Sequence, residues 1–146
     1  MDYERVEALV IYSFISVLIV LVLYESLRPN TRIYHTNFYI LDENGSAINY
    51  PSHCSVNSSL KLMLGIENHE GSDHTYILKC KIGNSSFNKT LEILVVPVEK
   101  GETRILNLSL EIPVSGNLTL YFELYKGSLG RKPYVYVYLP LNVTKP

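Results

Sequence analysis

The sequence predicts an all-β protein: an immunoglobulin-like antiparallel β-sandwich of about seven strands, preceded by one N-terminal transmembrane α-helix. Three observations lead to this prediction. Residues 8–24 contain no charged side chain. Beyond residue 33, short runs alternate between apolar and polar residues, the pattern of strands that bury one face. Tyr, Val, Ile and Thr, which favour strands, recur through these runs.

Length and composition limit the possible classes of protein. With 146 residues, the chain suits one domain and an anchor. We therefore predict an anchor over 1–28, a linker over 29–33 and the sandwich over 34–144. The formal net charge of −1 gives no basic field for nucleic acid, so no nucleic-acid partner is expected. Two cysteines are too few for a disulfide scaffold, so the domain must rely mainly on its core.

The uncharged segment reads ALVIYSFISVLIVLVLY over residues 8–24. A helix of this length spans about 26 Å, close to the thickness of a bilayer core, and it shows no polar face. The alternative is a cleaved signal peptide, including a pilin-like one. Three acidic residues and one arginine precede the segment, and residues 24–26 make a poor cleavage site. These features favour an uncleaved single-pass anchor in the cell membrane.

The orientation follows from acceptor motifs for N-glycosylation. The positive-inside rule decides little, because Arg5 stands on one side of the segment and Arg28 and Arg32 on the other. Seven Asn-x-Ser/Thr triplets occur, where chance would give about 1.6, and none has proline in the middle. Such acceptors imply a translocated surface, so we expect the C-terminal domain outside the cytoplasm. The acceptors are Asn44, Asn57, Asn84, Asn88, Asn107, Asn117 and Asn142.

Seven strand-like runs follow the predicted anchor at short spacing. They cover 34–41, 59–67, 74–82, 90–98, 103–112, 117–125 and the segment from 134 towards 143. The fourth run contains Pro97, which lacks a ladder donor and so predicts an edge strand or a bulge. Asn107 points outward on its strand, and the other six acceptors fall in turns or at strand ends. This spacing is typical of an immunoglobulin-like sandwich.

Two arrangements of the cysteines are open. Cys80 lies on the inward face of the third run and Cys54 in the loop before the second. A disulfide between them would close about 25 residues and stabilise the fold by about 3 kcal/mol. Against it, a hairpin centred near Gly71 places residue 80 opposite residue 61, seven positions from Cys54. The alternative is a buried thiol and a loop thiol.

The last two runs predict a surface rich in tyrosine. If their leucines, valines and Phe122 face the core, five tyrosines share the outer face. These are Tyr121, Tyr125, Tyr134, Tyr136 and Tyr138. Tyrosine combines a large rigid contact area with a hydrogen-bonding tip, which suits a protein partner or a glycan. Two alternative interpretations are open. Cross-strand tyrosine pairs only stabilise an exposed sheet face, or the linker of the anchor or a glycan covers the tyrosines.

Few residues point to chemistry. The densest polar cluster, 69–74, holds two histidines and two carboxylates, but it reads as an exposed hairpin turn and lacks the helical His-Glu-x-x-His spacing. We therefore predict no metal site and no cofactor. No nucleophile elbow, phosphate loop or apolar pair of carboxylates is present in the sequence. An enzyme is not expected.

Several segments resemble one family. They are 38–41, 49–51, 65–70, 101–103, 120–125 and 139–143, which read FYIL, NYP, GIENHE, GET, LYFELY and LPLNV. In order and spacing they are similar to the domain of unknown function 1616 family, whose members are largely archaeal membrane proteins. Many members carry several membrane helices before this domain, whereas this chain has one. The resemblance implies a membrane protein with an extracytoplasmic β-domain, and it implies no activity.

Together these features predict a non-catalytic, glycosylated module, anchored in the membrane, that binds a protein or glycan partner at the cell surface or within a membrane complex. The alternative is a structural subunit of a surface filament or envelope layer, in which the N-terminal segment packs in a fibre core or pairs with a neighbour's sheet by strand addition. An enzyme that uses the 69–74 loop would need bound metal.

Overall fold

The protein is described by a computed structural model that covers residues 3–28 and 33–146. The chain forms two compact units, Met1–Ile33 and Tyr34–Pro146. The first contains one helix, α1, from Tyr3 to Leu27, and none of its described side chains is buried. This helix is long and apolar enough to cross a membrane, a property that signal sequences share.

The second unit contains eight strands in two sheets. The strands are β1 Thr36–Leu41, β2 His53–Ser55, β3 Ser59–Asn68, β4 His74–Gly83, β5 Asn88–Val98, β6 Thr103–Glu111, β7 Gly116–Lys126 and β8 Val135–Thr144. One sheet has the order β1-β3-β6 and the other β2-β8-β7-β4-β5. All pairs are antiparallel except β2 with β8. The predicted all-β, immunoglobulin-like sandwich is confirmed.

The core lies between the two sheets and follows the predicted alternation. On β3 the side chains of Leu62, Leu64 and Ile66 are buried, while Lys61 points to solvent. The facing sheet contributes inward side chains from β4, β7 and β8. The largest of these fully buried side chains are Tyr76, Leu78, Ile82, Leu120, Phe122 and Leu124. The fourth predicted run, now β5, is an edge strand, as Pro97 indicated.

The sandwich has two ends that differ in what they carry. The entry end is where β1 begins, and it includes the β3–β4 loop, the β5–β6 turn and the β7–β8 loop. The far end is where β1 stops, and it includes the turns before β3, after β4 and before β7.

The structure has the cysteines in the second of the two arrangements left open by the sequence, without a disulfide. Both are free thiols, Cys80 fully buried and Cys54 partly so. Cys54 lies on the edge strand β2, and the whole of β8 and β7 separates it from β4, which carries Cys80. Three inter-strand spacings are about 14 Å, while a disulfide needs Cα atoms within about 7 Å. Burial raises the pKa of Cys80 to about 12.

Gly83 closes the tight turn between β4 and β5, where a Cβ atom would overlap the Phe87 carbonyl oxygen. That oxygen already accepts the Asn84 N–H at 2.9 Å, so it cannot move without breaking the turn. We expect Gly83→Ala to lower the free energy of unfolding by about 1–3 kcal/mol. The measurement is urea denaturation followed by circular dichroism. Gly130→Ala is the matched control, because its Cβ would lie 3.8 Å from the Lys132 carbonyl oxygen, an ordinary van der Waals contact. Equal losses from both substitutions would contradict the expectation.

Candidate functional site

The outer face of the five-stranded sheet carries exposed aromatic side chains on two neighbouring strands, β7 and β8. We call it the tyrosine face and define it by Tyr121, Tyr136 and Tyr138, with Ile93 and Val95 at its other side. Tyr121 and Tyr138 are cross-strand partners with ring centroids 6.4 Å apart. Tyr136 is 57% exposed and Tyr138 60%. Alternation places these rings outward because their neighbours in sequence fill the core.

A buried ion pair lies in the middle of this face. Glu123, opposite Tyr136 on β8, forms a salt bridge with Lys81, and both side chains are mostly shielded from water. The same carboxylate accepts a hydrogen bond from the Tyr125 hydroxyl at 2.8 Å. Burial and then this carboxylate raise the pKa of Tyr125 to about 12. The network holds Glu123, the cross-strand partner of Tyr136, in a fixed position.

Two of the five tyrosines predicted for this surface are placed differently. The prediction that Tyr125 is exposed is wrong: the residue is 7% exposed, lying beside Ile77 with its hydroxyl on Glu123. Tyr134 precedes β8 at the entry end, and its hydroxyl donates to Glu70 at 2.5 Å. Alternation along a strand predicts which face a side chain takes, but not how far its neighbours cover it. Tyr121, Tyr136 and Tyr138 are the three that the structure brings together.

Two aliphatic side chains extend the face on the edge strand β5. Ile93 is 49% exposed and Val95 67%, and they lie opposite Lys79 and Ile77 of β4. Both are branched residues suited to a strand, yet neither has a covering neighbour. In the sequence, the corresponding fourth run is apolar on both of its faces. The outward-facing side chains of this run were not assigned to any surface from the sequence.

The polar cluster at 69–74 does not assemble a ligand set. His69 stacks on His35 with ring centroids 4.9 Å apart, and Asp73 accepts the Lys100 N–H at 2.8 Å. Glu70 turns into the domain instead. Among the residues that the structure describes, no group of three or more His, Cys, Asp or Glu side chains is arranged to bind a metal ion.

Glu70 is the centre of a buried polar cluster at the entry end, which sequence reasoning missed. Its carboxylate forms a salt bridge with Lys126 at 2.9 Å. It also accepts hydrogen bonds from the hydroxyl groups of Thr36 at 2.9 Å and Tyr134 at 2.5 Å. The Glu70 side chain is 7% exposed. Burial by itself raises the pKa of Glu70, but these three donors outweigh burial and lower it to about 2. The cluster ties β1 of one sheet to β7 and β8 of the other.

Asn68, fully buried, shapes the loop that presents Glu70. Its side-chain nitrogen donates to the carbonyls of Ser72 at 2.8 Å and Val98 at 3.1 Å. Its side-chain oxygen accepts the Glu70 N–H at 3.0 Å. The asparagine and glutamate of the Asn-His-Glu segment therefore have an architectural role. The sequence signal that could have indicated this role is an asparagine at the end of a predicted strand, where a buried polar side chain would need hydrogen-bond partners.

The seven acceptor asparagines are all exposed. Six lie at or near the far end, and Asn107 lies in the middle of β6. Asn117 and Asn142 are direct cross-strand partners on the same outer face as the tyrosines. The six are Asn44, Asn57, Asn84, Asn88, Asn117 and Asn142. These features define the class of protein as a small β-sandwich with an aromatic sheet face and with acceptor motifs grouped at one end.

Comparison with known proteins gives the family. The sequence matches the model of the Domain of unknown function (DUF1616) over residues 29–142, so the chain belongs to this family, and the predicted resemblance is confirmed. The family has no assigned function. No curated protein sequence matches the chain significantly.

Solved structures support the fold alone. The CARDB domain of the PF1109 protein from Pyrococcus furiosus, solved with di-metal ions, aligns with a TM-score of 0.57 and 10% identity, covering 81% of this chain and 100% of that one. β-Glucosidases from Listeria innocua and Erythrobacter marinus align at 0.56 and 0.55 with 9% identity each. Their alignments cover 77% and 76% of this chain, which spans 16% of each glucosidase. The similarity to these enzymes is therefore limited to one domain of theirs.

Proposed function

We propose that the protein is a non-catalytic, membrane-anchored interaction module whose extracytoplasmic β-domain binds a protein partner through the tyrosine face. The observation that carries this proposal is the exposure of Tyr136 and Tyr138 beside the buried Lys81–Glu123 pair. Large aromatic side chains on a rigid, partly desolvated base are typical of binding hot spots. The CARDB-like fold and a family without assigned activity are compatible with a binding role.

The aliphatic side of the face favours a protein over a glycan. Ile93 and Val95 offer apolar area without a hydrogen-bonding group, whereas sugar binding needs polar groups around the stacked ring. The polar groups between the aromatic and aliphatic halves include Lys79 and the Lys81–Glu123 pair, whose charges are already paired with each other. Exposed aromatic and aliphatic side chains around such a pair are typical of protein interfaces.

The test replaces Tyr136 and Tyr138 with serine and recovers the protein from its native host after mild detergent extraction. We expect co-purifying protein to fall by at least about tenfold, because a hot spot of two tyrosines contributes on the order of 2 kcal/mol or more. The thermal midpoint should change little, since exposed cross-strand pairs contribute roughly 0.2–1 kcal/mol.

Ile105→Ser is the matched control, because Ile105 is 41% exposed on the outer face of the other sheet. Lost stability with unchanged recovery of partners would contradict the proposal and leave the tyrosines a purely stabilising role. Binding of a defined oligosaccharide to the wild type in the absence of any other protein, and its loss in the serine variant, would point to a glycan ligand instead.

The proposal includes an uncleaved anchor and an outward-facing domain. Support comes from α1, from the acidic residues before it, and from the exposure of all seven acceptors. In a host with the glycosylation machinery, we expect at least two acceptors to be occupied. Intact-protein mass spectrometry checks this expectation against 16.6 kDa, and the seven Asn→Gln substitutions combined serve as the unmodified control. A bare mass from the native host would contradict the orientation.

A structural subunit of a filament or envelope layer is the second candidate, favoured by one observation. Strand β2 pairs with β8 only at Asn142–Thr144. Within the described part of the chain, the outer backbone edge of β8 at Tyr136 and Tyr138 has no strand partner. An open edge can accept a strand from another molecule, although Pro140 lacks a donor. Long polymers released by shearing cells would support this candidate over the interaction module.

A further inference from the structure

The entry end and the far end of the sandwich differ in their acceptor sites. No Asn-x-Ser/Thr triplet lies in the three described connections at the entry end, 69–73, 99–102 and 127–134. Six of the seven triplets lie at or near the opposite end, where each side chain is open to a transferase. A glycan is bulky and hydrated, so a surface that lies against lipid cannot carry one. The distribution is what a domain standing on a membrane by its entry end would show.

The β7–β8 loop, residues 127–134, has the composition of a membrane-interface segment. It contains no acidic residue, and Arg131 and Lys132 are exposed with no ion-pair partner among the residues described. Leu129 is 50% exposed and Tyr134 47%. Lys and Arg beside an apolar and an aromatic side chain suit the boundary between headgroups and acyl chains.

The base of this loop is fixed in place. Lys126 forms the salt bridge with buried Glu70 and lies 5.2 Å from the centroid of the Tyr134 ring. The β7–β8 loop is therefore held at both of its ends, by Lys126 and by Tyr134. Among the residues described, no acidic side chain of the domain pairs with Arg131 or Lys132. The other acidic residues of the entry end belong to the β3–β4 loop, which holds Glu70 and the exposed Asp73, and to the β5–β6 turn, which holds Glu99 and Glu102, so a contact with anionic lipid would be limited to the β7–β8 side.

The entry end is the end of the domain that follows α1 along the chain. Thr36, where β1 begins, lies at this end, and eight residues separate it from Leu27.

We propose that the β7–β8 loop contacts the headgroup surface of the membrane in which α1 is inserted. Arg131 and Lys132 bind anionic headgroups, Leu129 enters the interface, and the acceptor-bearing far end points away from the membrane. The inference rests on the anchor of the proposed function, and it names a lipid surface as a second contact of the domain besides the protein partner of the tyrosine face.

The test uses the full chain, which has no tryptophan, reconstituted into phosphatidylcholine vesicles with or without phosphatidylglycerol. Leu129→Trp reports on the loop, and Ser85→Trp, in the β4–β5 turn, is the matched reporter at the far end. Lipids brominated on the acyl chain quench nearby tryptophan. We expect quenching at residue 129 to exceed that at residue 85 by at least about twofold, and to be stronger with phosphatidylglycerol.

Arg131→Gln with Lys132→Gln, added to Leu129→Trp, should remove the phosphatidylglycerol dependence. Equal, weak quenching at both reporters in vesicles that float with the protein would overturn the loop contact and leave the anchor intact. Quenching at residue 85 but not at 129 would overturn it as well, by placing the far end on the lipid. Failure of the protein to float with the vesicles would instead contradict the anchor itself, on which the proposed function depends.

Discussion

Replacing Asn68 with alanine is expected to lower the free energy of unfolding by about 3–4 kcal/mol, one of the two largest effects of a single substitution predicted for this domain. The side chain is fully buried and makes three hydrogen bonds, all to backbone groups. Alanine would leave the carbonyls of Ser72 and Val98 and the N–H of Glu70 without partners in a place that water reaches poorly. Each such group costs about 1–3 kcal/mol, and some relaxation of the loop reduces the sum.

Urea denaturation followed by circular dichroism measures this effect, and Asn37→Ala is the matched control. Asn37 is the neighbouring asparagine across the β1–β3 pair, exposed and bonded only to the Glu67 carboxylate at 2.8 Å. Its loss should cost less than about 1 kcal/mol. A cost for Asn68→Ala as small as that of the control would show that the loop rearranges freely, and the architectural role of Asn68 would be wrong.

The strands were predictable because the signal that defines them is local. On β3 and β7, alternate residues are apolar, so the sequence contains the buried face directly, and the core of Leu62, Leu64 and Phe122 follows from it. The sandwich was predictable on the same grounds, whereas the family was predictable from the order and spacing of the segments that resemble it. Strand β2, His53–Ser55, was not, because three residues cannot show a period, and its parallel pairing with β8 depends on a partner about ninety residues away.

The polar part of the structure was not predictable, because it depends on contacts between distant segments. The sequence places Glu70 in an exposed turn, and in the structure it meets Thr36, Lys126 and Tyr134 from three other segments. Tyr125 is on the outward face, as alternation required, yet it is covered. Partners of buried polar groups are set by the arrangement of the two sheets, which alternation within one strand does not contain.

Glu70 is the second residue for which we expect a large effect, and its effect depends on pH. Glu70→Gln keeps an oxygen that can accept from Thr36 or Tyr134, but it removes the charge that pairs with Lys126. At neutral pH we expect a loss of about 2–3 kcal/mol, the size of a hydrogen-bonded, largely buried charge contact. Glu111→Gln, at an exposed position on β6, is the control and should change stability by less than about 0.5 kcal/mol.

The pH dependence follows from the lowered pKa of Glu70. In the folded chain its pKa is about 2, against an ordinary value of 4.5. A carboxyl group with a lowered folded-state pKa stabilises the protein fully above its unfolded pKa and loses this contribution as the pH falls through the folded value. The difference in unfolding free energy between wild type and Glu70→Gln should therefore be constant from neutral pH down to about pH 5 and shrink between about pH 4.5 and 2.

Denaturation curves of both proteins between neutral pH and pH 2 measure this difference in unfolding free energy. Lys126→Met, alone and combined with Glu70→Gln, completes a double-mutant cycle that measures the coupling between the two residues. A difference that stays unchanged at pH 2, or a coupling energy near zero between Glu70 and Lys126, would show that the charge of Glu70 does not stabilise the junction of the two sheets.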